Sequence, residues 1–277
     1  MQPTRIAELL KPFLEESNAR FQPTLSEAKG LTVADLRHIS TYIDILLRWN
    51  TRINLTAIRD EEQIVTRHFG ESLFAARHLF PATADVGTAA LGCPAERSSA
   101  PAEARSEQGE RAPQDPCGQD DRGRAALQGP RQEAQMNGAL APAVADLGSG
   151  AGFPGIPIKL WAPQISLTLI ESNHKKATFL REVARALTLT DINIQTARAE
   201  TLSAEKKFDV VTLRAVERFE SIVPTAASLV APAGRLALLI GSAQLSQARS
   251  MLPAITWSDP IPIPNSRSRI LLIGIAG

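Results

Sequence analysis

Val144-Ala145-Asp146-Leu147-Gly148-Ser149-Gly150-Ala151-Gly152-Phe153-Pro154-Gly155 decides the fold. A short apolar run enters three glycines at alternate positions, and Pro154 or Gly155 then opens a helix. Glycine permits the tight turn and lets a ligand approach the backbone, and the helix start points free N–H groups at it. Outward from this turn, short apolar runs alternate with amphipathic stretches. Strands are expected at 143–147, 166–171, 192–197, 208–213, 235–240, about 255–258 and 269–275. Helices are expected at 155–162, 174–187, 219–230 and 243–251. That alternation predicts an α/β fold, a parallel Rossmann-like sheet with helices on both faces. The last strand follows a Pro/Asn/Ser turn with no helix before it, so it should insert antiparallel. Residues 4–80 read as helical: Thr32 with Asp35 makes a capping-box start, and Asp60 caps a helix carrying Ile64, His68, Phe69, Leu73 and Phe74.

The ligand follows from what surrounds the glycines. A dinucleotide fingerprint needs a small residue where Phe153 stands, and a P-loop needs a Gly-Lys-Ser/Thr that is absent. Asp146 precedes the first glycine by two residues, where it would repel a pyrophosphate and suit an ammonium or a sulfonium. Glu171 ends the next strand, close to the ~20-residue spacing at which an acid grips a ribose diol. The glycine run, with Gly148 and Gly150, together with Asp146 and Glu171 points to S-adenosyl-L-methionine. Later strand ends add Ala199-Glu200, placed to meet an adenine, and Arg214, placed beside the transferred methyl.

The acceptor is narrowed by what is missing. Leu213-Arg214-Ala215-Val216 replaces the Asn/Asp-Pro-Pro-Tyr/Phe platform of amine methylation, and both cysteines, Cys93 and Cys117, lie outside any patterned element. Guanine N7 has an in-plane lone pair and requires neither a nucleophile nor a base. Catalysis then rests mainly on aligning two bound reactants, with Arg214 nearest the transfer. Arg48, Arg52, Arg59, Arg67, Lys175, Lys176, Arg181, Arg185, Arg267 and Arg269 are candidates for phosphate contacts. His68 reads first as a core or interface histidine.

Residues 82–143 differ from the rest. They hold 15 Ala, 7 Gly and 6 Pro and no Ile, Phe, Trp, Tyr or Lys, too little apolar bulk to order a backbone. The expectation is a disordered insertion between an N-terminal helical region, 1–81, and a methyl-donor-binding domain, 144–277. Nine acids and six arginines fall in it, leaving the remainder with 24 basic against 20 acidic residues, a mild positive excess. No apolar run reaches the roughly 18 residues of a membrane span, Met1-Gln2-Pro3-Thr4 does not begin a signal peptide, and no His/Cys/Asp spacing suggests a metal. A cytoplasmic protein with no membrane partner and no metal is expected.

Several stretches resemble the ribosomal RNA small-subunit methyltransferase G family (also called glucose-inhibited division protein B). They are Trp49-Asn50 with Ile53-Asn54-Leu55-Thr56; Arg67-His68-Phe69-Gly70-Glu71-Ser72-Leu73; Asp146 through Pro157; Glu171-Ser172 with Lys175-Lys176 and Phe179-Leu180; Arg198-Ala199-Glu200; and Phe208-Asp209 through Arg214-Ala215. The resemblance implies a class I methyltransferase sheet with an N-terminal helical extension. It implies S-adenosyl-L-methionine-dependent methylation of guanine N7 at a single guanosine in the 530-loop region of 16S rRNA, with the small ribosomal subunit as partner. Cofactor contacts are implied at Gly148, Phe153, Ala199, Glu200 and Arg214. Segment 82–143 departs from the family pattern, as do Glu71, where Asp is frequent, and Ile240, where Lys is frequent. A cofactor- or RNA-binding module without activity, or a methyltransferase for another acceptor, are the competing readings.

Overall fold

The computed structural model describes residues 1–15, 30–81, 141–203, 205–215 and 218–277. The expected insertion lies almost wholly outside the described residues. The described residues form one compact unit.

β1 (Ala143–Leu147) is buried from Val144 on, because it is the middle of the sheet. It pairs in parallel with β2 (Ser166–Ile170) on one side and β4 (Phe208–Arg214) on the other. Two crossovers, through α5 (Gly155–Trp161) and α6 (His174–Ala186), carry the chain outward to β3 (Ile192–Gln195). The chain then returns to β4, and α7 (Phe219–Ser228) leads to β5 (Val230–Gly241). α8 (Leu245–Met251), β6 (Ile255–Trp257), β7 (Ile261–Pro262) and β8 (Arg269–Ala276) complete the chain. The strand order is β3-β2-β1-β4-β5-β8-β6, with β7 on β8, and β8 runs antiparallel to β5 and β6. This is the expected Rossmann-like sheet, parallel from β3 to β5 with β8 inserted antiparallel. Its direction of growth reverses between β1 and β4, and open α/β sheets bind ligands beyond the carboxyl ends of such strands.

β5 starts earlier than the apolar run at 235–240 suggests. Val230 already pairs with Phe208, and the register then slips before Arg235. Pro232 has no N–H to give a ladder and Ala233 is left-handed at φ 59, so the strand bulges and resumes.

Side-chain alternation divides the core between the two faces. Ala145, Leu147, Val211 and Leu213 face α7 and α8. Val144, Leu167, Leu169 and Val210 share a second apolar cluster with α5, α6 and the N-terminal helices. Those are α1 (Pro3–Leu14), α2 (Val33–Asn50), the short α3 (Glu61–Gln63), a π-helix at Ile64–Gly70 and α4 (Glu71–Leu79). Thr32 and Asp35 form the expected capping box, and Asp60 caps α3 through the Gln63 N–H. The π-helix agrees with its own spacing: Ile64, His68/Phe69 and Leu73/Phe74 step by four and five, wider than an α-helical face. Among the described residues, no helix is long and apolar enough to cross a membrane, and no His/Cys/Asp/Glu group is set to hold a metal ion.

Candidate active site

Gly148, Gly150 and Gly152 all adopt left-handed backbone, at φ 66, 55 and 85. An ordinary residue pays roughly 1–2 kcal/mol for that conformation, so the alternate glycines are what let the loop coil at the end of β1. The Gly148 and Ser149 N–H groups both donate to the Ile170 carbonyl, which ties the loop to β2. The Gly150 N–H donates to Glu171 Oε2 at 2.9 Å, and the Asn173 N–H to Oε1 at 2.7 Å. Each Glu171 oxygen keeps lone-pair capacity for a further donor.

Asp146 corrects the sequence reading. Its carboxyl group does not reach the surface, where a ligand could meet it. It lies wholly buried beneath the loop, where it accepts from the Gly155 N–H at 3.2 Å and the Thr212 hydroxyl at 2.9 Å. Strand alternation is the reason: Asp146 and its register partner Thr212 point toward α5, not past the strand end. A Cβ on Gly155 would stand 2.5 Å from Leu169 Cδ2 and 2.9 Å from Asp146 Oδ2, so glycine is what admits this brace.

Phe153 is clasped by three rings from the N-terminal helices. Tyr42 lies parallel to it at 5.3 Å, His68 stacks on it at 4.8 Å, and Phe69 meets it edge-on at 5.1 Å. Such pairs contribute about 0.5–1.5 kcal/mol each beyond area burial.

Arg214 ends β4 and is almost fully enclosed. Its Nε and Nη2 donate to Glu71 Oε2 at 3.3 and 3.0 Å, Nη2 also reaches the Arg67 carbonyl at 2.7 Å, and Nη1 meets His68 Nδ1 at 3.1 Å. A guanidinium only donates, so His68 Nδ1 must be unprotonated, and Nε2–H donates to Thr56 Oγ1 at 2.7 Å. Among the described residues, four of the five N–H bonds of Arg214 find partners and one on Nη1 is left over. Glu71, 1% exposed, also takes Arg67 Nε at 3.2 Å and Arg269 Nη2 at 3.1 Å, so one carboxylate gathers three arginines.

Burial pushes the Asp146 carboxyl up from 3.8 to about 7, against its hydrogen bonds from Thr212 and Gly155. Burial, and then the charge of Arg214, push His68 down from 6.5 to about 3. The two oppose each other. Asp146 contributes stability fully present below about 3.8 and lost as pH rises to about 7; His68 contributes stability present above 6.5 and lost as pH falls toward about 3. Asp146→Asn removes the first and leaves the second. Its melting temperature should therefore fall more steeply than the wild type's on acidification from pH 6.5 to 4. Parallel melting profiles would contradict this.

Gly148, Gly150, Phe153, Glu171, Ala199, Glu200 and Arg214 line a single cavity of about 1020 Å³ at the switch point. Its other wall is the loop Asn54–Ala57 with Arg59, and Arg198 and Arg218 also line it; the sequence offered Arg59 as a phosphate contact and Asn54 to Thr56 and Arg198 as family-like positions, but gave none of them a place in this cavity and did not single out Arg218. Tyr42 and the role of Glu71 were missed too; the Arg67/Glu71 pair, four apart on a helical segment, was the available signal. Six of the ten basic candidates have a defined place in the structure. Arg59 and Lys176 reach the cavity. Arg67 and Arg269 pair with Glu71, Arg48 pairs with Glu182, and Arg181 donates to Thr196 and the Ile194 carbonyl.

Residues 35–95 and 133–259 match the family model described as rRNA small subunit methyltransferase G. Proteins named ribosomal RNA small subunit methyltransferase G are similar along most of the chain. The one from Roseiflexus sp. (strain RS-1) is 29% identical over 249 residues, 86% of this chain and 82% of the relative. That from Xylella fastidiosa (strain 9a5c) is 29% identical over 91% of this chain and 93% of the relative. That from Chloroflexus aggregans (strain MD-66 / DSM 9485) is 30% identical over 84% and 78%. With the family pattern running from α2 through the glycine loop to β6, the chain belongs to the rRNA small subunit methyltransferase G family, and so to the S-adenosyl-L-methionine-dependent rRNA methyltransferases.

Proposed function

We propose that the cavity binds S-adenosyl-L-methionine beside a flipped-out guanosine of 16S rRNA, in the 530-loop region of the small ribosomal subunit, and that guanine N7 receives the methyl group. The observation that carries this is convergence: the glycine loop, Glu171, Ala199-Glu200 and Arg214 come from four strand ends yet share one cavity. At about 1020 Å³ the cavity lies at the upper end of the roughly 300–1,000 Å³ range for one small ligand, which leaves space for two reactants.

When bound, the cofactor supplies an electrophilic methyl on a sulfonium, which passes to the N7 lone pair as the carbon–sulfur bond breaks. No proton leaves guanine. The chain's residues suit that economy. Glu171 has acceptor capacity for the ribose hydroxyls, Phe153 offers an immobilised ring, and Ala199-Glu200 lie where an adenine would rest. Arg214 is held in a fixed orientation by Glu71 and offers one directed N–H toward the cavity. His68 has both nitrogens engaged and acts as a brace, not a base. Arg59, Lys176, Arg198 and Arg218 line the cavity and are suited to RNA phosphates.

The test is transfer of labelled methyl from the cofactor to unmodified small subunits and to free 16S rRNA, followed by mass-spectrometric mapping. N7-methylguanosine at one 530-loop position is expected; label at another atom or another RNA would overturn the acceptor assignment. Residues 96–132 fall between the two family-matching segments. We propose that they form the dispensable part of an insertion between the helical region and the methyltransferase domain. Deleting them should leave the transfer rate within about twofold, and loss of activity in a folded deletion variant would contradict that.

A further inference from the structure

We infer that Tyr42 is a positioning residue for the methyl donor: its hydroxyl locks the peptide unit between Ala151 and Gly152 into the conformation the donor requires. This rests on the cofactor being held by the glycine loop. Tyr42 is fully buried on α2, and its O–H donates to the Ala151 carbonyl. The Gly152 N–H, on the same rigid peptide plane, donates to the Ser149 carbonyl at 2.6 Å. Both ends of that unit are therefore pinned, one by the loop itself and one by a helix of the N-terminal layer. Among the described residues, no other group bonds the Ala151 carbonyl.

The neighbouring residues give this bond its purpose. The unit ends on Gly152, whose missing Cβ makes the peptide easy to rotate. Ala151 and Gly150 both line the cavity, so a rotated unit would re-aim the surface that meets the donor. Gly152 also provides the notch: a Cβ there would collide with the Tyr42 hydroxyl. The Tyr42 ring lies parallel to Phe153, two residues beyond Ala151. One side chain thus holds the loop through a hydrogen bond and a stacked ring, and Tyr42→Phe removes only the first.

The experiment compares wild type, Tyr42→Phe and Ser40→Ala by calorimetric titration with S-adenosyl-L-methionine and by melting of the free proteins. Ser40, on the same helix, bonds the Met1 carbonyl at 2.8 Å and does not touch the loop, so it controls for loosening of α2. Tyr42→Phe should raise the donor Kd about tenfold, equivalent to about 1.4 kcal/mol, while Ser40→Ala leaves it within twofold. A Kd within twofold for Tyr42→Phe, or a melting change with no change in Kd, overturns the inference. Should wild type itself bind no donor, the cofactor assignment fails instead. Tyr42 is the sole tyrosine of the chain, so 3-fluorotyrosine gives one 19F resonance that needs no substitution to read. The resonance should shift on donor addition, and a signal unmoved at saturation also overturns the inference.

Discussion

Gly150→Val should abolish cofactor binding, with affinity down at least about 100-fold and the fold retained. Gly150 sits at φ 55, and a Cβ built on it meets only the Gly148 carbonyl oxygen, at 3.7 Å. A side chain there finds no protein atoms to collide with and instead projects into the cavity. Valine is also poorly suited to left-handed backbone, being β-branched. The strain is on the order of 1–2 kcal/mol, which corresponds to a melting decrease of roughly 2–8 °C at this chain length. Steric exclusion of the donor is the larger effect. Calorimetry with S-adenosyl-L-methionine checks it: unchanged affinity would mean the donor does not lie against Gly150.

Glu71→Ala should cost both stability and turnover. The carboxylate is buried and answers Arg67, Arg214 and Arg269. Its removal strands the Arg214 guanidinium, whose side chain is 7% exposed, among two other cations. Breaking a buried ion pair from one side typically costs about 3–5 kcal/mol, a fall in melting temperature on the order of 10 °C. Arg214 also loses the anchor of its Nε and of one Nη2 bond, so methyl transfer should drop more than tenfold even well below the melting point. Glu71→Asp keeps the charge and should recover much of both. A Glu71→Ala variant with wild-type melting would show that the three arginines are solvated and not held by this carboxylate.

Local features of the sequence announced the scaffold well. The glycine run placed β1 and the start of α5 within a residue because left-handed turns leave few alternatives to glycine. The antiparallel β8 was readable from the missing crossover helix. Features that depend on distant partners were not readable. Arg214 and Glu71 sit at the ends of two elements far apart in the chain, and nothing local to either implies the other. Tyr42 looks like an ordinary core ring on an amphipathic helix until the loop it serves is folded against it. Asp146 was assigned the wrong direction for a subtler reason. Its distance from Gly148 suggested nearness to the ligand, whereas the strand's period of two turned it toward Thr212 and the start of α5. The π-helical spacing from Ile64 to Phe74 was present in the sequence, but steps of four and five are easily taken for an α-helical stripe.

The central claim is that one cavity at the switch point holds the methyl donor between the glycine loop and Arg214. A crystal structure of the protein with S-adenosyl-L-methionine tests it most directly. The ribose hydroxyls are expected against Glu171, the adenine beside Ala199 and Glu200, and the methyl carbon facing the open side of the cavity near Arg214. Donor density in a different cavity, or in this one with the methyl turned away from Arg214 and toward the protein interior, would contradict it.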